Sequence, residues 1–133
     1  MFGTFQQSNL RIEVNASEST IRDVLTRPEH LRHWMWPQTL SNMNVASLNV
    51  GDSLTSWIGP ISIHHKVDAV DSLSIRFLLS QGIDGFHSWH WGDGWIQSDL
   101  EGVSLLPLNL GQTFGLLRLK DYLVKQQMPA PNP

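Results

Sequence analysis

The chain has 133 residues, of which 41% are apolar and 16% charged, and this is typical of a single soluble domain with a sizeable core. The net charge of -3 and the lack of any Lys/Arg cluster exclude a general attraction to nucleic acid, and the absence of cysteine excludes disulfides and thiolate zinc sites. No apolar run approaches the roughly 18 residues of a membrane span, and the N terminus lacks a signal-peptide pattern, so we expect a cytoplasmic protein without integral membrane association.

The N-terminal part of the sequence predicts one strand followed by two short helices. Residues 6–15 alternate apolar and polar side chains, as a half-buried strand does. Ser17 can then cap a first helix through its side-chain oxygen. Pro28 ends that helix and begins a second one, which extends to about Trp34 before Pro37. The two helices are expected to form a V that supports one end of a longer helix.

From residue 45 onward, alternation and turn residues predict six strands. They are residues 45–50, 53–58, 61–69 and 73–79, and two further strands that flank Asp93-Gly94. Turns at Gly51-Asp52 and Gly59-Pro60 separate the first three. Because consecutive strands are joined by short turns, we expect an antiparallel sheet with the helices on one side, which is an α+β fold.

The apolar faces of residues 61–69 and 73–79 predict how these two strands pair. The inward residues are Ile61, Ile63, His65, Val67 and Ala69 on one strand, and Leu73, Ile75, Phe77 and Leu79 on the other. The two faces match if Val67 lies opposite Phe77 and Ala69 opposite Ile75. A two-residue turn would flip one face, so we predict a three-residue connection around Ser72.

The dipeptide Asp93-Gly94 favours a two-residue hairpin turn. The predicted pairs are Trp91 with Ile96, Trp89 with Ser98, His87 with Leu100, His90 with Gln97, and Ser88 with Asp99. This register divides the hairpin into an apolar inner face and a polar outer face. A three-residue loop would instead join Trp91 to Trp95, so the face that Trp89 and Trp91 take stays open on the sequence alone.

Residues 105–127 form the only long helical pattern in the sequence. Pro107 suits the helix entrance, and Asn109 is a plausible N-cap. The apolar stripe consists of Leu110, Phe114, Leu117 and Val124, with Leu116 and Leu123 beside it. We predict that this helix lies across the sheet with an apolar cavity between them. Residues 1–127 would make one ligand-binding domain, and the proline-rich residues 128–133 a disordered tail.

The order of these elements, and three segments within it, resemble the START-like or SRPBCC superfamily. The segments are IEVNAS at residues 12–17, PEHLRHW at 28–34 and GPISI at 59–63. The resemblance covers nearly the whole chain and includes the Bet v 1-like (birch-pollen-allergen-like) and polyketide cyclase/dehydratase-like branches. Residues 97–117 also look like the signature of a bacterial subgroup of unassigned role.

This resemblance implies a helix-grip fold, in which a curved antiparallel sheet of about seven strands, in the order β-α-α-β6-α, wraps around a long C-terminal helix. It also implies a deep cavity for a hydrophobic molecule. Members of the superfamily include lipid binders, hormone binders and cyclases, so the fold by itself does not decide the function.

The six histidines do not form a predicted metal site. They fall in three pairs: His30 with His33, His64 with His65, and His87 with His90. Both strand pairs point to opposite faces of their strands, and the helical pair has no carboxylate-rich partner. No nucleophile motif and no glycine-rich phosphate loop is present, so we expect no metal, no cofactor and no catalytic residue.

His65 is the one polar residue on an otherwise apolar inward face, and His87 is expected to face the same cavity. One interpretation is a core histidine bonded to a backbone carbonyl or to Ser98. The others are a histidine that contacts a ligand, or one that acts as acid or base on a ligand carbonyl.

The aromatic residues near the predicted cavity are the strongest positive feature, because large rings supply apolar contact at low entropic cost. We predict a ligand site lined by Trp57, Ile63, His65, Phe77, Leu79, His87, Trp89, Trp91, Ser98, Phe114 and Leu117. The function that follows is binding of a small hydrophobic molecule, such as a lipid, for transport, storage or sensing.

Two alternatives stay open. The first is a cyclase/dehydratase-type enzyme with a pocket histidine as acid or base. The second is a small protein-interaction domain with a filled core and an exposed patch around Trp34, Met35 and Trp36. We expect a small hydrophobic molecule as partner and no nucleic acid, and homodimer formation is left open.

Overall fold

The computed structural model describes residues 3–35, 39–40 and 44–127. The elements follow in the order β1 (Thr4–Glu13), α1 (Glu18–Thr26), α2 (Pro28–Trp34), β2 (Thr39–Leu40), β3 (Ser53–Ile58), β4 (Ile61–Val70), β5 (Ser74–Gln81), β6 (Asp84–Gly92), β7 (Trp95–Ser104) and α3 (Leu108–Gln127). The predicted α+β class is confirmed. The predicted tail at residues 128–133, together with Trp36 and Pro37, lies outside the described residues.

The sheet is antiparallel, with the strand order β1-β7-β6-β5-β4-β3-β2. Six strands of six to ten residues build it, and β2 adds only a two-residue edge. The prediction of a strand at residues 45–50 is wrong, and the expected count of about seven full strands is one too many. The backbone there bonds elsewhere: the N–H of Leu48 donates to Thr26 O at 2.8 Å, and that of Asn49 to the carboxylate of Asp52 at 2.8 Å.

The pairing of β4 with β5 is partly as predicted. The observed pairs are Val67 with Phe77, Ala69 with Arg76, and Val70 with Ile75. The expected pair of Ala69 with Ile75 is wrong because the register shifts between Val67 and Ala69, where a bulge inserts an extra residue. Three residues, 71–73, separate the bounds of β4 and β5, but the last pair, Val70 with Ile75, encloses four residues, so the three-residue turn predicted from the register is wrong. Leu73 belongs to that connection, so it is 48% exposed rather than inward.

The hairpin of β6 and β7 has the predicted two-residue turn and all five predicted pairs. Gly94 has a φ of 84°, which a residue with a side chain rarely adopts. This register places Trp89 and Trp91 on the inner face, where both are buried.

The start of α3 is held by β1 rather than by its own sequence. Gln6 Oε1 accepts a hydrogen bond from the N–H of Leu108 at 3.0 Å, and Gln6 Nε2 donates to Leu106 O at 2.8 Å. Asn109 is not the N-cap, because it lies inside the helix and donates from Nδ2 to Ser8 Oγ at 2.7 Å. The helix begins at Leu108, three residues inside the predicted pattern of residues 105–127 and before the predicted cap at Asn109.

The buried face of α3 also differs from the predicted stripe. It consists of Leu108, Gln112, Leu116, Leu119 and Leu123. The predicted stripe residues Leu110, Phe114, Leu117 and Val124 are 46–67% exposed. Apolar residues occur all around this helix, so periodicity alone did not select the face that packs on β1 and β7.

The two short helices are as predicted. Ser17 accepts a hydrogen bond from the N–H of Thr20 at 3.3 Å as N-cap of α1, and Pro28 begins α2. None of the helices within the described ranges is both long and apolar enough to span a membrane.

Candidate functional site

A cavity of about 550 Å³ lies between the inner face of the sheet, the two short helices and the first half of α3. This volume is within the roughly 300–1,000 Å³ of small-molecule pockets. The sheet and its hairpins contribute Leu54, Ile58, Ile63, Phe77, Leu79, Ile83, Trp89 and Leu100. The region of α1 and α2 contributes Leu25, Leu31, Trp34 and Met35. The region of α3 contributes Leu106, Pro107, Leu108, Leu110, Gly111, Phe114 and Gly115, and the polar lining is His65, His87 and Gln112.

Two glycines of α3 leave space on the helix side of the cavity. Gly111 and Gly115 are about one helical turn apart, and both border the cavity. A Cβ atom added at either position would meet no other atom within 4 Å. Each glycine weakens a helix by about 1 kcal/mol relative to Ala, and close packing does not require either of them. Their consequence here is open volume beside the cavity.

The structure brings seven of the eleven predicted site residues to the cavity. They are Ile63, His65, Phe77, Leu79, His87, Trp89 and Phe114. Six of them lie on β4, β5 and β6, where two-residue alternation made their inward direction predictable, and Phe114 lies on α3.

Four predicted residues do not line the cavity, each for its own reason. Trp57 points outward and is 37% exposed, because β3 turns Leu54 and Ser56 inward. Trp91 is 1% exposed and packs in the core, where it pairs with Ile96.

The other two are Ser98 and Leu117. Leu117 lies on the exposed side of α3, and Ser98 is fully buried behind His87. Ser98 thus reaches the cavity only through that histidine.

Sequence reasoning missed the wall that α2 contributes. Trp34 packs edge-on against Trp89, with ring centroids 5.7 Å apart, and its Nε1 donates to Val24 O at 3.0 Å. The spacing of Leu31 and Trp34 indicated an apolar helix face, but nothing in the sequence says what that face covers. Because Trp34 is buried, it does not form the predicted exposed patch with Met35 and Trp36.

A hydrogen-bond chain connects the cavity to α3. His87 Nε2 and Ser98 Oγ are 2.6 Å apart. Gln112 Nε2 donates toward Ser98 Oγ and Ser98 O, both at 2.9 Å, and toward Ser8 O at 3.1 Å. Gln112 Oε1 has no hydrogen-bond partner within the described part of the chain. These contacts explain why a glutamine lies on the buried face of α3.

His65 has a different partner from the one expected. Its Nε2 lies 2.9 Å from Ser56 Oγ, so neither of the predicted partners, Ser98 or a backbone carbonyl, bonds to it. The ring of Phe77 meets the His65 ring edge-on at 6.0 Å. Sequence reasoning missed Ser56 because a serine at one position of β3 carries no visible sign of burial.

Both cavity histidines are uncharged at neutral pH. Burial lowers the pKa of His65 to about 4, with a further contribution from His64. Burial lowers the pKa of His87 to about 3, and His65 lowers it further. Of the side chains that the structure describes around the cavity, none belongs to Asp, Glu, Lys or Arg. The site is therefore apolar with neutral hydrogen-bonding groups.

The predicted helical pair of histidines brackets Tyr122 instead of a metal. His30 Nδ1 lies 2.6 Å from Tyr122 Oη, and the His33 ring stacks on the Tyr122 ring at 5.7 Å. This contact joins α2 to α3 beside the cavity. Within residues 3–35, 39–40 and 44–127, no three His, Asp or Glu side chains are grouped to hold a metal ion.

A second depression, of about 720 Å³, lies on the surface beside the second half of α3. Charged and polar side chains such as Arg11, Glu13, Asp93 and Lys120 contribute to its walls, and it is more open to solvent. Arg11 covers the ring of Trp95 at 4.2 Å, so part of this surface is already occupied by the chain itself. The apolar cavity between the sheet and α3 is less open and is the better candidate for a ligand.

No family model matches the chain, and no curated protein matches it. Solved structures do share its shape. Ginseng major latex-like protein 151 from Panax ginseng is 12% identical, with a TM-score of 0.70 over 96% of this chain and 100% of its own. The Aha1 dimer from Colwellia psychrerythraea is 18% identical, with a TM-score of 0.66 over 92% of this chain and 99% of its own.

DynU16, from the dynemicin biosynthetic locus, is 18% identical, with a TM-score of 0.68 over 90% of this chain and 48% of its own. The chain therefore spans about half the length of DynU16. At these identities the likeness shows the fold alone. The predicted helix-grip fold is confirmed.

Proposed function

We propose that the chain binds a small hydrophobic molecule in the cavity between the sheet and α3. The observation that carries this proposal is a space of about 550 Å³ whose walls are apolar except for neutral polar groups. Burying about 300 Å² of apolar ligand surface would contribute about 7 kcal/mol before the costs of association are subtracted. That gross value is large enough for useful affinity, and a cavity of this size speaks against a core filled by its own side chains.

DynU16 comes from a biosynthetic locus, and this fits a protein that handles a small molecule. We assign the chain a binding role in transport, storage or sensing rather than catalysis. The cyclase/dehydratase alternative needs a histidine that exchanges a proton near neutral pH. With pKa values of about 4 and 3, His65 and His87 are weak bases and stay neutral there.

The test is native mass spectrometry of the protein purified without detergent, followed by weighing under denaturing conditions. We expect a mass excess that disappears on denaturation. Trp89→Ala, which removes a cavity wall, should lose the retained molecule, as should Phe77→Ala. Trp57→Ala is the matched control, because Trp57 points away from the cavity.

A mass excess that survives Trp89→Ala and Phe77→Ala would show that the molecule binds elsewhere. The same spectra report whether the chain forms a homodimer, as the Aha1 protein in the comparison does.

A further inference from the structure

The hydrogen-bond chain at the cavity wall determines which nitrogen of His87 carries the proton. Ser98 Oγ lies within bonding distance of two groups, Gln112 Nε2 and His87 Nε2. An amide nitrogen donates and does not accept. His87 Nε2 is therefore the acceptor for the hydroxyl proton of Ser98, and any other arrangement leaves that proton unpaired in a fully buried place.

The orientation of the Gln112 amide is itself determined. Its Nε2 faces the carbonyl oxygens of Ser8 and Ser98. If the amide were flipped, Oε1 would face both carbonyl oxygens without a proton between them. Ser98 and Gln112 are thus positioning residues for His87.

With Nε2 as acceptor, a neutral His87 carries its proton on Nδ1. Within the described residues, Nδ1 of His87 has no hydrogen-bond partner, and the atom is not fully buried. Because His87 borders the cavity, this N–H group stays in contact with the open volume. The Trp89 ring packs on the face of His87 at 4.6 Å between centroids, which leaves the edge of the imidazole free to meet a ligand.

We propose that the ligand is an uncharged apolar molecule with a carbonyl oxygen that accepts a hydrogen bond from Nδ1–H of His87. This inference rests on the proposed function. A donor held in an apolar site favours a ligand that satisfies it and rejects one that leaves it unpaired. A carboxylate would lose its hydration without meeting a cation, since no Lys or Arg is among the described cavity residues.

The test uses three naphthalenes of nearly the same shape: 2-acetonaphthone, 2-isopropenylnaphthalene, in which CH₂ replaces the carbonyl oxygen, and 2-naphthoate. Affinities are measured by calorimetry at pH 7.5. We expect the ketone to bind about 3- to 10-fold more tightly than the hydrocarbon, as one net hydrogen bond provides, and the carboxylate to bind most weakly.

His87→Phe should reduce the preference for the ketone to within about twofold, since a phenyl ring keeps the apolar contact and loses the donor. His90→Phe is the matched control: His90 lies on the opposite, exposed face of the same strand, so the preference should persist.

Binding of ketone and hydrocarbon with equal affinity, or tightest binding of the carboxylate, would overturn this inference and leave the proposed function standing. If none of the three binds, this inference is overturned as well, and the proposed function is decided separately by the mass excess in native mass spectrometry.

Nitrogen-15 NMR of histidine in the wild-type protein tests the same point without a variant. We expect His87 to be protonated on Nδ1 and unprotonated on Nε2, and the opposite tautomer would overturn the inference. Ser98→Ala should change this signature to a mixture of tautomers, an effect that a purely structural role would not produce.

Discussion

The glycine pair on α3 provides the sharpest test of how this cavity is built. Gly111→Ala and Gly115→Ala each add one methyl group where no atom lies within 4 Å. Neither glycine has a positive φ, so alanine fits the backbone. Each substitution should raise the free energy of unfolding by about 1 kcal/mol through helix propensity. For a chain of this length that corresponds to a melting temperature about 3–5 °C higher per substitution.

A larger side chain at the same place should separate stability from binding. Gly115→Leu extends into the cavity and displaces part of the ligand. Losing about 55 Å² of buried apolar ligand surface corresponds to about tenfold weaker binding. Thr113→Leu is the matched control, because Thr113 lies on the same helix, is exposed and does not border the cavity.

The measurements are thermal unfolding followed by circular dichroism and calorimetric titration with 2-acetonaphthone. A lower melting temperature for both alanine variants would mean that the helix side of the cavity is closed. Unchanged affinity in Gly115→Leu would mean that the ligand does not occupy this space. Either result would refute the assignment of these glycines to the cavity.

Two further predictions concern stability. Gln6→Ala removes the side chain that accepts a hydrogen bond from the N–H of Leu108, so the free energy of unfolding should fall by about 1–2 kcal/mol. Gln7→Ala, on the exposed face of β1, is the control and should change this free energy little. Equal effects of the two variants in chemical denaturation would contradict the role of Gln6. The pKa values of His65 and His87 are lower in the folded chain than the ordinary 6.5. Below pH 6.5 the unfolded chain therefore binds more protons than the folded chain, and the free energy of unfolding decreases as the pH is lowered. The free energy of unfolding should change by about 1.4 kcal/mol per pH unit for each histidine, down to about pH 4 for His65 and about pH 3 for His87. Urea unfolding at a series of pH values should show a weaker dependence on pH for His87→Phe than for the wild-type protein.

The features that local patterns predicted correctly depend on short-range signals, namely the alternation of side chains along a strand or the residues of one tight turn. Asp93-Gly94 sets the β6–β7 register, because sliding one strand by a residue would exchange its polar and apolar faces. The same argument paired Val67 with Phe77. It failed two residues later, because a bulge has no distinct mark in the sequence.

The candidate site was largely predictable from the sheet, whereas the helices gave only Phe114 correctly. His65 and His87 alternate with apolar neighbours on their strands, so their direction was visible in the sequence. On α3, apolar side chains occur on all sides, and the buried face includes Gln112, whose amide donates to β1 and β7. Periodicity therefore selected Leu117, which is exposed.

Local patterns were enough to predict the α+β class, the two short helices, the β6–β7 register and the inward direction of the central residues of β4 to β6, because caps, turns and two-residue alternation act within a few positions. The start and buried face of α3, the wall made by Trp34, and the partners Ser56 and Ser98 of the two histidines became visible only in the folded chain. These depend on groups brought together from distant parts of the chain. Buried polar groups must find partners wherever the fold places them, and that requirement is not written at any single position.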